Sequence, residues 1–124
     1  VGVNPQTSER ALPEELIQDV LCIMLTCGMY DFSGEWAYRV GLPAKSGVGG
    51  GVLAVIPGHA AIAVFSPPLD QRGNSVRALK VCEALAAQFV LHSFSSSTAK
   101  QEFLRQLANR CAAAASGRRS CRRR

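Results

Sequence analysis

The first part of the chain carries apolar residues at helical spacing between two turn-forming positions. Pro13 and the two glutamates after it have the composition of a first helical turn, and Gly28 is a residue that ends helices. The spacing predicts a helix of about four turns between these positions, with one buried face. That face would consist of Leu16, Ile17, Val20, Leu21 and Met24.

A short helix and a β-hairpin are predicted next. Ser33 is a favourable N-cap residue, and the short helix that it begins should end at Gly41 because Pro43 prevents continuation. Beyond Pro43 the pattern becomes strand-like. Two apolar runs, residues 51–56 and 60–65, flank a Pro-Gly turn and predict an antiparallel hairpin. The segment that leads into this hairpin, Lys45 to Val48 and three glycines, has an irregular pattern.

Two further helices are predicted after the hairpin. The third helix covers roughly residues 75–92, and a serine-rich break separates it from a last helix in residues 96–115, where Thr98 and Gln101 form a capping-box pattern. The overall pattern is that of an α+β fold. The residues expected to face inward are Val76, Leu79, Val81, Cys82, Leu85 and Phe89 in the third helix, and Phe103, Leu104, Leu107 and Cys111 in the last.

Composition and charge narrow the class of protein. With 124 residues, 48% of them apolar and 19% charged, the chain is a globular domain and not a coiled coil or a disordered segment. The net charge of +5 comes entirely from five arginines in residues 116–124, which we expect to form a basic, disordered tail. Because these arginines have no interleaved aromatic residues, a nucleic-acid partner is disfavoured.

The cysteines and histidines indicate neither a disulfide framework nor a metal site. Five cysteines are an odd number without a C-x-x-C pair, which is typical of reduced, mostly buried thiols in a cytoplasmic protein. His59 and His92 lack metal-ligand spacing, so no metal is expected. The longest apolar runs are far below the roughly 20 residues that span a bilayer, and we expect no membrane anchor and no leader.

Three short segments contain candidate chemistry. Lys45-Ser46-Gly47 is a Lys-[Ser/Thr]-Gly sequence of the kind that lines the active site in serine acyl-transfer enzymes, although a surface lysine in a turn gives the same tripeptide. Tyr30 to Gly34 concentrates polar groups at a helix end, where both a functional and a purely structural role are open. Ser97 and Lys100 have nucleophile-plus-base spacing, but on a peripheral helix we attribute this spacing to chance.

Five blocks of the sequence share one pattern in order, namely residues 2–5, 24–34, 40–51, 65–70 and 73–76. Taken together, they resemble the bacterial and mitochondrial glutaminase family. The resemblance covers about residues 2–95 and implies the C-terminal part of a catalytic domain with a β-lactamase-like (transpeptidase-like) fold. The family hydrolyses L-glutamine to L-glutamate and ammonia through a serine acyl-enzyme, without a metal or organic cofactor, and is usually a homotetramer.

The resemblance implies roles for a few residues of this chain. Tyr30 matches a tyrosine that contacts the substrate and hydrogen-bonds the nucleophilic serine, and Val48 matches a residue whose N–H faces the substrate carbonyl. Lys45, Ser46 and Gly47 would line the same wall. No residue here matches the nucleophile or its lysine base, so we expect the chain alone to be inactive. An alternative is a non-catalytic interaction module, or pseudo-enzyme, derived from that fold.

Overall fold

The computed structural model describes residues 2–4 and 6–121, and in the last helix it describes only the backbone at residues 111 and 114–121. The order of helices and strands confirms an α+β fold. The elements are α1 (Glu14–Cys27), a 3₁₀ turn (Tyr30–Phe32), α2 (Ser33–Arg39), β1 (Ala44–Gly47), β2 (Gly51–Ile56), β3 (Ala60–Phe65), α3 (Val76–Gln88) and α4 (Thr98–Cys121).

Helix α1 has the predicted ends but not the predicted single buried face. It begins directly after Pro13 and is followed by Gly28, whose N–H donates to the carbonyl of Met24 at 3.2 Å. No α1 residue is fully buried. Ile17, Leu21 and Met24 are half-buried, whereas Leu16 and Val20 are 45% and 37% exposed. The apolar residues therefore occupy two faces of the helix, and the fold covers only one of them.

Helix α2 starts at Ser33, but this serine is not its N-cap. The Ser33 hydroxyl donates to the carbonyl of Tyr30 at 2.7 Å and accepts from the N–H of Met29 at 3.0 Å, so it fastens the 3₁₀ turn before the helix. The helix ends at Arg39, two residues earlier than predicted. Trp36 anchors it in the core, fully buried, with Nε1 donating to the carbonyl of Leu42 at 2.7 Å.

The three strands form one antiparallel sheet in the order β1-β2-β3. The predicted hairpin is confirmed as β2 and β3, and the irregular approach to it contains a further strand, β1, paired along its length with β2. Val52, Ala54 and Ile56 alternate along β2 and are buried on the face against which α3 packs. The other face carries Leu53, which lies between Lys45 of β1 and Ala63 of β3.

Helix α3 begins as predicted, at the N-cap Ser75, whose hydroxyl accepts a hydrogen bond from the N–H of Ala78. It ends at Gln88, short of residue 92. Its buried residues are Ala78, Cys82 and Ala86, so small side chains let the helix lie close to the sheet. The prediction that Val81 faces inward is wrong, because this side chain is 42% exposed.

Helix α4 packs through the predicted apolar residues. The ring of Phe103 stacks on Phe89 at 4.2 Å between centroids, and Leu104 is buried. The capping pattern is displaced by one residue, since Ser97, and not Thr98, accepts the hydrogen bond from the N–H of Ala99. The helix runs on to Cys121 through residues 116–121, and the remainder of the proposed tail, 122–124, lies outside the described residues.

The expectation of mostly buried cysteines is wrong for two of the three thiols that the structure describes. Cys22 and Cys27 on α1 are exposed, and only Cys82 is buried. Burial, and secondarily the neighbouring carboxylate of Glu83, raises the pKa of Cys82 from 9.0 to about 11. The side chain of Cys111 lies outside what the structure describes.

We therefore expect iodoacetamide at pH 8 to label Cys22 and Cys27 in the folded chain and to label Cys82 only after unfolding, as measured by peptide mass spectrometry. The same pKa shift predicts how the free energy of unfolding depends on pH. Because the unfolded thiol loses its proton near pH 9.0 and the folded one near 11, the free energy of unfolding falls as the pH rises across this interval. Equal labelling rates for Cys82 and Cys22 would contradict the burial argument.

Gly28 is where α1 meets the sheet, because its carbonyl accepts the N–H of Ser46 on β1 at 2.9 Å. Gly28→Ala is expected to lower the free energy of unfolding by about 2 kcal/mol, since a β-carbon there would overlap the backbone carbonyl of Ala44. Gly34→Ala is the control: nothing lies within 4 Å of its added carbon, and in α2 it should stabilise by about 0.5–1 kcal/mol. Urea-induced unfolding measures the free energy of unfolding of both variants. Similar unfolding midpoints for Gly28→Ala and Gly34→Ala would contradict the close contact between Gly28 and Ala44.

Within the described ranges, no single helix has the length and hydropathy to cross a membrane; α1 and Tyr30–Arg39 meet that threshold only when taken together, as a pair bent by 90°.

Candidate functional site

Tyr30 stands at the turn between α1 and α2 in an unusual backbone conformation. Its φ of +54° lies in the left-handed region, which residues other than glycine adopt at an energetic cost and often at functional positions. The surrounding structure holds this turn in place. Ser33 binds the carbonyl of Tyr30, and the side-chain amide of the buried Asn74 donates to the carbonyl of Met29 at 3.3 Å.

The phenol of Tyr30 lies against strand β1. Its hydroxyl donates to the carbonyl oxygen of Ser46 over 3.4 Å, and the ammonium group of Lys45 donates to the same oxygen. The Lys45 Nζ also lies 4.8 Å from the centroid of the Tyr30 ring, in a cation–π arrangement. The strand thus fixes the ring from one side and puts a positive charge beside it.

Val48 belongs to the tight turn between β1 and β2 and not to a strand. The turn is fastened at its base, because Gly50 donates to the carbonyl of Gly47 at 2.9 Å and accepts from the N–H of Ser66 at 2.8 Å. The side chain of Val48 is 71% exposed. Among the described residues no group accepts a hydrogen bond from the Val48 N–H, so this donor is available.

The loop between β3 and α3 forms a third side of the region around Tyr30 and Val48. A β-carbon built on Gly73 would lie 3.6 Å from Cγ1 of Val48 and 3.7 Å from Cε2 of Tyr30, so this glycine is next to both residues. Its φ of +84° is one that glycine adopts without strain. The carboxylate of Asp70 closes the loop by accepting the N–H groups of Arg72 and Asn74, both at 2.9 Å.

Ion pairs connect this loop to α2. Arg72 binds Glu35 at 3.2 Å and lies 5.0 Å from the ring centroid of Phe32. Arg39 binds the other oxygen of Glu35 at 3.0 Å and also Glu83 on α3 at 3.3 Å. The two pairs of Glu35 are solvent-exposed, so each adds at most about 1 kcal/mol, and the pair with the half-buried Glu83 links α2 to α3. Together they join α2, the loop and α3 around the site.

Most of the residues singled out in the sequence come together here. Tyr30, Lys45 and Val48 surround one small region, and Gly47 ends the strand beside it. Ser46 takes part only through its carbonyl oxygen. Its side chain is 1% exposed, on the opposite face of the sheet from Lys45, and its hydroxyl has no hydrogen-bond partner in the described part of the chain.

Sequence reasoning missed Gly73 and Asn74 as parts of this site. Residues 73–76 form one of the five blocks of the family resemblance, but a Gly-Asn pair before the N-cap Ser75 is equally typical of an ordinary loop and indicates no place in the site. Their contacts reach residues more than 25 positions away, namely Tyr30 and Met29, and no periodicity within one element predicts such contacts.

The Ser97–Lys100 pair has a structural role. Ser97 caps α4, and the Lys100 Nζ donates to the carbonyls of His92 at 2.7 Å and Ser95 at 3.3 Å, which closes the serine-rich loop. Because its Nζ donates to backbone carbonyl oxygens and not to the Ser97 hydroxyl, Lys100 is not placed to act as a base for Ser97. Among the described residues no three His, Cys, Asp or Glu side chains gather as metal ligands.

Comparison with known proteins gives a consistent result. The Glutaminase family model matches residues 1–94. The glutaminase of Trichormus variabilis is 63% identical over 93 residues, which are 75% of this chain and 28% of the relative. The glutaminase of Clostridium tetani is 50% identical over 93 residues, 75% of this chain and 30% of the relative. The chain thus spans less than a third of the length of these curated relatives.

Solved structures agree with the sequence comparison. A structure described as the probable glutaminase YbaS has a TM-score of 0.74 and 53% identity, over 77% of this chain and 31% of that one. A structure of Mglu in its tris and glutamate form has a TM-score of 0.72 and 46% identity, over 78% and 22% of the two chains. The resemblance deduced from the sequence blocks is therefore confirmed: the chain belongs to the glutaminase family and corresponds to the C-terminal part of its members.

Proposed function

We propose that this chain supplies one wall of a glutaminase active site that hydrolyses L-glutamine to L-glutamate and ammonia through a serine acyl-enzyme. One observation carries the proposal. Tyr30 and Val48, the two positions that the family resemblance associates with the substrate, both lie beside Gly73, although they are 18 positions apart in the sequence. The ring of Tyr30 and the side chain of Val48 thereby border the same small region, and the Val48 N–H has no acceptor among the described residues.

Each of the two groups has a chemical use in acyl transfer. The hydroxyl of Tyr30 can relay a proton to or from the nucleophilic serine, while its carbonyl partner on β1 orients it. The N–H of Val48 can donate to the oxyanion that forms when the glutamine amide is attacked. A backbone donor held by a fastened turn is well suited to this, because it needs little reorganisation when the charge develops.

The nucleophile and the lysine base have no counterpart in this chain, so the proposed reaction needs the remainder of a glutaminase domain. We propose that the chain alone releases no ammonia from glutamine, because a site without its nucleophile retains only binding and oxyanion contributions. We propose a cytoplasmic location for the complete enzyme, because an odd number of cysteines without a C-x-x-C pair is typical of reduced thiols. On the basis of the family resemblance, we propose that it is free of metal and organic cofactors and is a homotetramer.

The test is a chimera in which residues 1–94 replace the matched segment of the Trichormus variabilis glutaminase. We expect the chimera to retain glutamine hydrolysis within about tenfold of the parent, since a 63% identical segment keeps the site residues in place. Ammonia release measures the activity, and the isolated chain and its Tyr30→Phe variant are the baseline. A folded chimera without activity, or an isolated chain more active than its Tyr30→Phe variant, would refute the proposal.

A further inference from the structure

Asn74, in the loop before α3, has a fully buried side chain whose amide nitrogen donates to the carbonyl oxygen of Met29 at 3.3 Å. That oxygen belongs to the peptide group between Met29 and Tyr30. It also accepts the N–H of Phe32 at 3.1 Å, which is the hydrogen bond of the 3₁₀ turn itself. Asn74 therefore adds a restraint from a distant part of the chain to the peptide group that precedes Tyr30.

The orientation of this peptide group determines the backbone conformation of Tyr30. The torsion φ is the rotation about a residue's own N–Cα bond, so it describes how the preceding peptide group is turned. At Tyr30 φ is +54°, which is unfavourable for a residue with a β-carbon and persists only where the surroundings enforce it. On the other side of Tyr30, the Ser33 hydroxyl donates to the carbonyl of Tyr30. A side chain thus holds each of the two peptide groups that flank Tyr30.

The backbone of Asn74 is itself fixed, so its side chain is a rigid contact. Its N–H donates to Oδ1 of Asp70 at 2.9 Å, and its carbonyl accepts the N–H of Asp70 at 2.8 Å. The residue before it, Gly73, lies next to the ring of Tyr30. One short loop therefore contacts Tyr30 twice, at the ring through Gly73 and at the backbone through Asn74.

The amide of Asn74 contributes little to the stability of the fold. Its Oδ1 is buried and has no hydrogen-bond partner in the part of the chain that the structure describes, and such an atom lowers the free energy of unfolding. Leucine has nearly the same shape and would replace both the long hydrogen bond and the unpaired oxygen with apolar contacts. The hydrogen bond to Met29 is therefore expected to matter more for the geometry of the turn than for stability.

We propose that Asn74 is a positioning residue for glutamine hydrolysis, which holds Tyr30 in the left-handed conformation and so directs its phenol. The inference rests on the proposed function for the reaction, and on the contacts of this chain for the hold on Tyr30. From this backbone conformation the phenol hydroxyl reaches the carbonyl of Ser46. A change of φ to an ordinary negative value would move the β-carbon and the ring away from that position.

The first experiment uses the full 124-residue chain and does not depend on catalysis. Asn74→Leu removes the amide and keeps the shape of the side chain. A positive φ brings the amide proton and the α-proton of one residue close together. Tyr30 should therefore give a strong nuclear Overhauser cross-peak between these protons in the unaltered chain and a weak one in Asn74→Leu. The thermal unfolding midpoint should change by less than about 3 °C.

The second experiment introduces Asn74→Leu into the chimera with the Trichormus variabilis glutaminase. We expect kcat to fall at least tenfold while KM stays within about threefold, because a displaced proton-relay group slows the chemical step more than it weakens substrate binding. Ser93→Ala is the matched control. Its hydroxyl is also buried without a partner among the described residues, but it lines a cavity with Ile56, at the end of β2 remote from Val48. This control should leave kcat and the Tyr30 cross-peak unaltered.

A strong Tyr30 cross-peak in Asn74→Leu would overturn the inference, as would a normal kcat after the cross-peak has weakened. If Asn74→Leu does not fold, Asn74→Ser repeats both measurements, since its hydroxyl is too short to reach Met29. If neither variant folds, Asn74 is a structural residue and the inference is wrong. A chimera that is inactive before any substitution contradicts the proposed function alone, and the cross-peak then decides whether Asn74 holds Tyr30.

Discussion

Tyr30→Phe in the chimera with the Trichormus variabilis glutaminase is expected to lower kcat by about 10²-fold or more, with a much smaller change in KM. The substitution removes only the hydroxyl that donates to the carbonyl of Ser46 and leaves the ring beneath the Lys45 ammonium group. Since that hydrogen bond is long, at 3.4 Å, its loss should change stability by less than about 1 kcal/mol. Steady-state kinetics and thermal unfolding therefore separate a chemical role from a structural one.

Tyr38→Phe is the control for this change. Tyr38 is 86% exposed on α2, so removal of its hydroxyl should leave both kcat and stability unaltered. If Tyr30→Phe turns over glutamine at the normal rate, Tyr30 is a structural residue at a helix end. If it loses stability and activity in proportion, the phenol acts by holding β1 and not by moving a proton.

Val48→Pro is expected to reduce kcat of the chimera by roughly 10²-fold, equivalent to about 3 kcal/mol, because proline has no N–H to donate to the oxyanion. Proline also restricts the residue before it to an extended backbone, and Gly47 already has this conformation at the end of β1. The turn should survive, because the hydrogen bonds that fasten it come from Gly50 and Ser66.

Val48→Ala keeps the N–H and removes a side chain that is mostly exposed, so its kcat should stay within about twofold of the unaltered chimera. Steady-state kinetics of Val48→Ala and Val48→Pro show whether the backbone N–H or the side chain of Val48 is needed for turnover. Circular dichroism checks that the sheet is intact in both variants. Equal losses from alanine and proline would show that the side chain is needed for packing and that the donor is irrelevant.

The ends of α1 and the β2–β3 hairpin could be predicted because their signals are local. Pro13 and Gly28 mark the helix by their own conformational preferences, and a Pro-Gly turn separates two apolar runs. Strand β1 could not be predicted with the same means, since its four residues have no apolar alternation and depend on pairing with β2. Helix α1 is apolar on two faces and the fold covers only one of them, which the spacing alone does not distinguish.

For the site, short motifs pointed to Tyr30 and Lys45 and the family resemblance pointed to Val48, but neither described how the three residues are arranged. Alternation along β1 turns the Ser46 hydroxyl into the core and leaves its carbonyl to the tyrosine, a detail that a motif of three letters does not specify. Gly73 joins the site through the path of a loop. Such long-range proximity depends on the whole fold and has no sequence signature of its own.

Trp36 gives the chain a built-in optical reporter. It is the single tryptophan among 124 residues, it has no exposed surface, and its indole N–H is bonded to the carbonyl of Leu42 at the approach to β1. Its fluorescence therefore reports the junction between α2 and the sheet, only a few residues from Tyr30 and Lys45, without interference from any second indole. An emission shift to longer wavelength follows when water reaches this junction, so the spectrum of the unlabelled protein reads out the integrity of the region that holds the tyrosine.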